Sequence, residues 1–111
     1  IGALGEGDLG KHFPDTDPKY AGINSMLLLK EVAGLMLEAG YVINNLDALI
    51  MIEKPKMAPH IEAMRKNIAD CLSCDISQVS VKATRGEGLG FVGREEGVLA
   101  QCITMVKKKS A

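Results

Sequence analysis

Apolar residues recur first at Leu28, Val32, Leu35 and Met36, and Leu27 and Leu29 widen the stripe. That spacing predicts an amphipathic helix. Asn24 or Ser25 opens it, since either side chain accepts from orphan N–H groups, and Gly40 closes it. The period then changes. Residues 41–53 read as a strand, and the continuously apolar run over 48–52 suits a strand covered on both faces. Lys54-Pro55-Lys56 stops it. Helical spacing returns at Ile61, Met64, Ile68 and Leu72, predicting a helix over 58–72, with Pro59 near its first turn where proline is tolerated. Residues 75–78 read as a turn. Val79, Val81 and Ala83 then alternate with Ser80, Lys82 and Thr84, as in a half-buried strand. A loop holding Gly86, Gly88, Gly90 and Gly93 leads to a last strand over 97–106.

The order is helix end, loop, helix, strand, helix, strand, strand. It predicts an α/β sandwich of the α+β kind: a mixed sheet with helices packed on one face. No repeat or linker divides the 111 residues, so one domain over 1–111 is expected. The chain opens on Ile1, and residues 1–4 read as the last turn of a helix that starts upstream.

Composition adds exclusions. With 47% apolar residues but only 4% aromatic ones and no Trp, the core is built from Leu, Ile, Val, Ala and six Met. The net charge is −1, and the only cationic run, Lys107-Lys108-Lys109, reads as a solvated terminus. This argues against nucleic acid as a partner. No apolar run approaches the roughly 20 residues that a membrane-spanning helix needs. Cys71, Cys74 and Cys102 are too few and odd in number for a disulfide framework. Cys71 and Cys74 form a single C-x-x-C on a helical pattern, which suits half-buried thiols better than a metal or redox pair.

Three segments carry the chemistry. The first runs from Gly7 through Asp8, Leu9, Gly10, Lys11, His12, Phe13, Pro14, Asp15 and Thr16 to Asp17. It is too polar for a core strand, and Pro14 would spoil a helix interior. Its aspartates could hold a cation, hydrogen-bond a polyol, or shape turns through bonds to their own backbone. In the second, Glu53 to Ala58, Lys56 stands just ahead of a helix start. It either reaches a phosphate beside the helix's free N–H groups or is simply solvated. In the third, Thr84, Arg85 and Glu87 follow a strand. A hydroxyl, a guanidinium fork and a carboxylate there suit a diphosphate and its metal, or form only a polar strand end. Gly88, Gly90 and Gly93, like Gly5, Gly7 and Gly10, spell G-x-G-x-x-G, but neither has the strand–turn–helix context and acidic follower of a dinucleotide fingerprint. His60, beside Pro59, reads as structural or exposed.

These segments together resemble the 2-C-methyl-D-erythritol 2,4-cyclodiphosphate synthase family over nearly the whole chain. The likeness rests on the stretch 7–17, on Pro55-Lys56-Met57, and on Val81-Lys82-Ala83-Thr84 leading through Glu87 to Gly90-Phe91-Val92-Gly93-Arg94. It implies cyclisation of 4-diphosphocytidyl-2-C-methyl-D-erythritol 2-phosphate with release of CMP, in non-mevalonate isoprenoid biosynthesis. By resemblance, Asp8, Leu9 and Gly10 contact the methylerythritol hydroxyls, and residues 13–17 lie along the same substrate. Pro55, Lys56, Met57 and Ala58 build the cytidine pocket. Thr84 and Arg85 meet the reacting diphosphate, and Glu87 binds the Mg2+ or Mn2+ that bridges its phosphates. The resemblance also implies a homotrimer with sites between subunits, and a bacterial cytoplasm or plastid stroma. Gly90, Phe91 and Arg94 would lie near the threefold axis, where some members hold an isoprenoid diphosphate. The alternative is that Phe91 is a core ring and Arg94 a surface ion pair.

The chain departs from the family pattern in two places. Arg85 stands where the family carries a catalytic threonine. The family's zinc ligands, an Asp-x-His pair and a further His, match nothing in the chain and would lie ahead of Ile1, so the domain is expected to be truncated at its N-terminus relative to the family. A non-catalytic trimeric module that binds phosphate or an isoprenoid is the rival reading. A generic monomeric nucleotide-binding domain is the third.

Overall fold

The computed structural model describes residues 1–110. Helix α1 covers Leu9–His12, α2 Ser25–Glu38, α3 Ile61–Leu72 and α4 Gly90–Gly93. Strands β1 (Tyr41–Met51), β2 (Val79–Thr84) and β3 (Leu99–Lys108) form one sheet in the order β2-β1-β3. β2 runs parallel to β1 and β3 antiparallel. The sheet is therefore mixed, as the pattern predicts.

Local chemistry sets the boundaries. The Asn24 side chain accepts from Met26 N at 2.8 Å and starts α2. Gly40, at φ 87°, turns the chain out of that helix in a conformation that costs other residues. α3 is preceded by a 3-10 turn over Ala58–His60 that contains Pro59. Asp75 and Gln78 make a reciprocal capping box around the turn ahead of β2.

α2 and α3 pack on one face of the sheet. Ala33 and Met36 of α2, and Ala69 and Leu72 of α3, meet Ile43 and Leu46 of β1 and Val79 and Val81 of β2. Burial of these side chains supplies the main drive for folding. A bulge at Asn44 shifts the β1–β3 register between Ile43 and Asn45. Gln78 Nε2 donates to both carbonyls at that irregularity, Ile43 O at 3.1 Å and Asn44 O at 2.9 Å.

The opposite face is open. Alternation and register place Asp47, Leu49 and Met51, Ser80, Lys82 and Thr84, and Gln101, Ile103 and Met105 there. Ile103 is 75% exposed and Met105 60%. The apolar run over 48–52 is only half-buried, because the helices cover one side of it. Expected cover on both faces is thus met on one face within the chain. The final strand lies about two residues later than expected. The glycine loop contains the one-turn α4, and the aspartate-rich loop contains the one-turn α1.

Candidate functional site

Because β1 and β2 are parallel, their C-terminal ends lie side by side, with Met51 paired to Thr84. The chain leaves both strands at the same end of the sheet, the place where open α/β sheets hold ligands. A cavity of about 260 Å³ opens there. Pro55, Lys56, Met57 and Ala58 form one wall, and Thr84 and Arg85 another. Ile52, Ile61 and Ala83 line its apolar part. The 3-10 turn over Ala58–His60 starts beside it and runs straight into α3, so the positive end of this helical run faces the cavity wall at Met57 and Ala58.

The two walls are tied together. Ile52 N donates to Thr84 O at 3.0 Å, and Gly86 N donates to the Glu53 carboxylate at 2.9 Å. The loop after Arg85 then folds tightly on itself. A Cβ on Gly86 would stand 2.5 Å from Gly93 N, and one on Gly93 2.3 Å from the Gly88 carbonyl carbon. Glycine is required at both positions. Glu87 holds a left-handed φ of 53°, which costs a non-glycine residue roughly 1–2 kcal/mol. Its side chain is exposed and makes no ion pair among the described residues. A single carboxylate of this kind suits Mg2+, which takes one or two carboxylates and completes its shell with phosphate oxygens and water. Zinc is different. Among the described residues no three His, Cys, Asp or Glu side chains converge, whereas a catalytic zinc takes three protein ligands. The residues present do not make a zinc site.

Beyond Glu87, Phe91 is 45% exposed and lies against Gly97. Arg94 pairs with the Glu96 carboxylate, so it forms the surface ion pair that the residues alone allow. Gly90 takes a positive φ of 67° at the start of α4.

The aspartate-rich segment is organised by itself. The Asp8 carboxylate accepts from Lys11 N at 3.0 Å and caps α1. Leu9 and Gly10 begin that helix. Asp17 accepts from Lys19 N, also at 3.0 Å. Phe13 meets Tyr20 edge-on, and His12 Nε2 lies 2.8 Å from Glu6 O. Pro14 is half-buried, while Asp15 and Thr16 are exposed. None of these residues lines the cavity beside Lys56 and Arg85. The structure thus gathers Pro55, Lys56, Met57 and Ala58 with Thr84 and Arg85 in one place, and leaves Glu87, Phe91, Arg94 and the first segment outside the cavity lining.

Sequence reading passed over two residues with local roles. Glu53 holds the Arg85–Glu87 loop, through a partner 33 residues away. Arg65 of α3 donates to Val79 O and Ile76 O and fixes the start of β2. A carboxylate at a strand end and an arginine on a polar helix face carry no mark of such distant partners. The thiols of Cys71 and Cys74 are half-buried and that of Cys102 is exposed. Burial, assisted by the Asp75 charge, raises the Cys74 pKa and so lowers its thiolate fraction.

The parallel β1–β2 pair, the helices on a single face and a cationic cavity at the strand ends define an α+β domain with a strand-end ligand cleft. The chain belongs to the YgbB family, whose profile matches residues 1–107. It is 55% identical over 109 residues to the 2-C-methyl-D-erythritol 2,4-cyclodiphosphate synthase of Chlorobium phaeobacteroides, covering 98% of this chain and 69% of that protein. Among solved structures, it is similar to the bifunctional IspDF of Campylobacter jejuni, at a TM-score of 0.91 and 41% identity, over 96% of this chain and 29% of that one. The CDP complex of IspF from Plasmodium falciparum matches at 0.84 and 30%, over 98% of this chain and 65% of that one.

Proposed function

We propose that this chain forms the substrate-binding body of a 2-C-methyl-D-erythritol 2,4-cyclodiphosphate synthase, a phosphorus–oxygen lyase of isoprenoid biosynthesis. The observation that carries this reading is the convergence of Pro55, Lys56, Met57 and Ala58 with Thr84 and Arg85 on one cavity. These are the residues for which the family resemblance implies cytidine and diphosphate contacts. The CDP complex of the Plasmodium falciparum relative supports a cytidine nucleotide as ligand.

In the reaction the substrate's 2-phosphate attacks its own β-phosphorus, and the bond to CMP breaks. The protein's task is to fold the substrate onto itself and balance charge. The backbone around Met57 and Ala58 seats the cytosine, and Lys56 faces the phosphates. The Thr84 hydroxyl donates to a diphosphate oxygen, and the Arg85 guanidinium offsets the negative charge that builds up there. Bound at Glu87, a magnesium ion would neutralise phosphate charge. Among the described residues nothing would hold zinc.

Asp8, Leu9, Gly10 and residues 13–17 grip the methylerythritol portion in this reading. Because they lie away from the cavity, a second copy of the chain supplies them, in a homotrimer. The open sheet face supports that assembly. Ile103 and Met105 are uncovered there. Phe91, next to Gly90, would then approach the threefold axis, where an isoprenoid diphosphate fits an apolar channel closed by Arg94.

The test is CMP release from the cytidine substrate by the full-length protein supplied with zinc and magnesium. Turnover that falls at least a hundredfold in Lys56→Ala is the expected result. Binding of the substrate without any CMP release would instead establish the non-catalytic module.

A further inference from the structure

The cavity presents two cations with no counter-charge. Lys56 and Arg85 line it from separate segments, and neither makes an ion pair or a side-chain hydrogen bond among the described residues. The surrounding carboxylates are already engaged. Glu53 holds Gly86 N, Glu95 holds Lys54 at 3.2 Å, and Glu96 holds Arg94. Glu87, the remaining acid of the loop, is exposed and does not line the cavity. The bond from Gly86 N to Glu53 fixes the backbone directly after Arg85, so its side chain springs from an anchored point at the cavity wall.

An anion that enters here meets a point charge from one side and a planar guanidinium fork from the other. The two are not equivalent, because only the fork binds two oxygens of one phosphate at once. We propose that Arg85 is a specificity-determining residue. It reads the terminal phosphate of a nucleoside diphosphate, so that the protein prefers CDP to CMP even with no divalent cation present. This rests on the reading of the cavity as a cytidine nucleotide site. It adds that Arg85 supplies, beside Lys56, part of the diphosphate charge balance that a metal would otherwise have to supply.

Titration calorimetry of the protein with cytidine, CMP and CDP, in EDTA and again in magnesium, tests the proposal. In EDTA the wild-type protein should bind CDP about tenfold more tightly than CMP, the scale of one charge-assisted contact discounted for solvent exposure. Arg85→Thr should bring that ratio to about threefold or less, with cytidine, which carries no phosphate, losing least and CDP losing most. Arg85→Lys should restore part of the preference, because it returns the charge without the fork. An unchanged CDP-to-CMP ratio in Arg85→Thr overturns the proposal. So does an equal loss for cytidine, CMP and CDP, since Arg85 would then shape the cavity rather than read a phosphate. Thermal unfolding of the variant separates that outcome from misfolding. If the wild-type protein binds none of the three ligands, the nucleotide reading itself fails and the proposal falls with it.

Discussion

Replacing Arg65 by Ala should destabilise the protein by about 2–3 kcal/mol. Its guanidinium makes three contacts: Nε to Val79 O at 2.8 Å, one terminal nitrogen to Ile76 O at 3.0 Å, and the other to the Glu62 carboxylate at 2.8 Å. They differ in weight. Val79 is 2% exposed, so its carbonyl loses a charged donor where water reaches poorly, a loss of about 1.5–2 kcal/mol. The Ile76 carbonyl lies in an exposed turn that water can satisfy, and about 0.5 kcal/mol is lost there. The Glu62 side chain is 76% exposed, so that pair adds no more than about 0.5 kcal/mol. For a domain near this size about 4 °C of melting temperature accompanies each kcal/mol, giving a fall of roughly 8–12 °C. Urea and thermal unfolding followed by circular dichroism measure it. Glu62→Ala is the internal comparison and should shift the midpoint by only about 2 °C. If Arg65→Ala and Glu62→Ala lose the same amount, the bonds to the β2 entrance contribute nothing, and the argument that Arg65 secures that strand is wrong.

Gly86→Ala and Gly93→Ala each drive a Cβ into backbone at 2.5 Å or less, so both should loosen the 85–93 loop, seen as faster amide exchange there. Gly34→Ala, which meets nothing within 4 Å on the solvent side of α2, should instead raise stability by about 0.5–1 kcal/mol; a loss would refute that contrast. With a thiol-specific reagent at pH 8, exposed Cys102 should react first and Cys74 last, because burial raises the Cys74 pKa and reduces its thiolate; early labelling of Cys74 in the folded protein contradicts this. Asp75 is held below the ordinary carboxylate value of 3.8, chiefly by the Ser77 backbone N–H. A depressed folded pKa stabilises above the unfolded value and is lost as pH falls through the folded one. Asp75→Asn should therefore flatten the fall in stability below about pH 4 that the wild-type protein shows, and identical acid profiles would exclude the linkage.

Much of the architecture was legible because period and punctuation agree. Asn24 and Gly40 bracket α2 almost to the residue, and the alternation through Val79, Val81 and Ala83 marks β2 together with its buried face. The one-turn helices escaped because four residues carry too little periodicity to read. The strand over 48–52 implied two covered faces, a correct statement about its apolar content, but nothing in a linear pattern says whether the second cover comes from the same chain. The cavity was legible as two separate phosphate-facing segments. Their meeting depends on parallel pairing of Met51 with Thr84, which no local signal records. Glu53 and Gln78 were invisible for a related reason: their partners lie 33 and 35 residues away.

β3 is flanked by β1 on one side and, among the described residues, by no strand on the other. Along its ten residues every second amide points outward without a sheet partner, next to the uncovered Ile103 and Met105. Such a border is a template for any visiting strand. The polypeptide by itself should therefore grow self-adhesive as its concentration rises, with Lys107, Lys108 and Lys109 acting as electrostatic gatekeepers at the end of the strand.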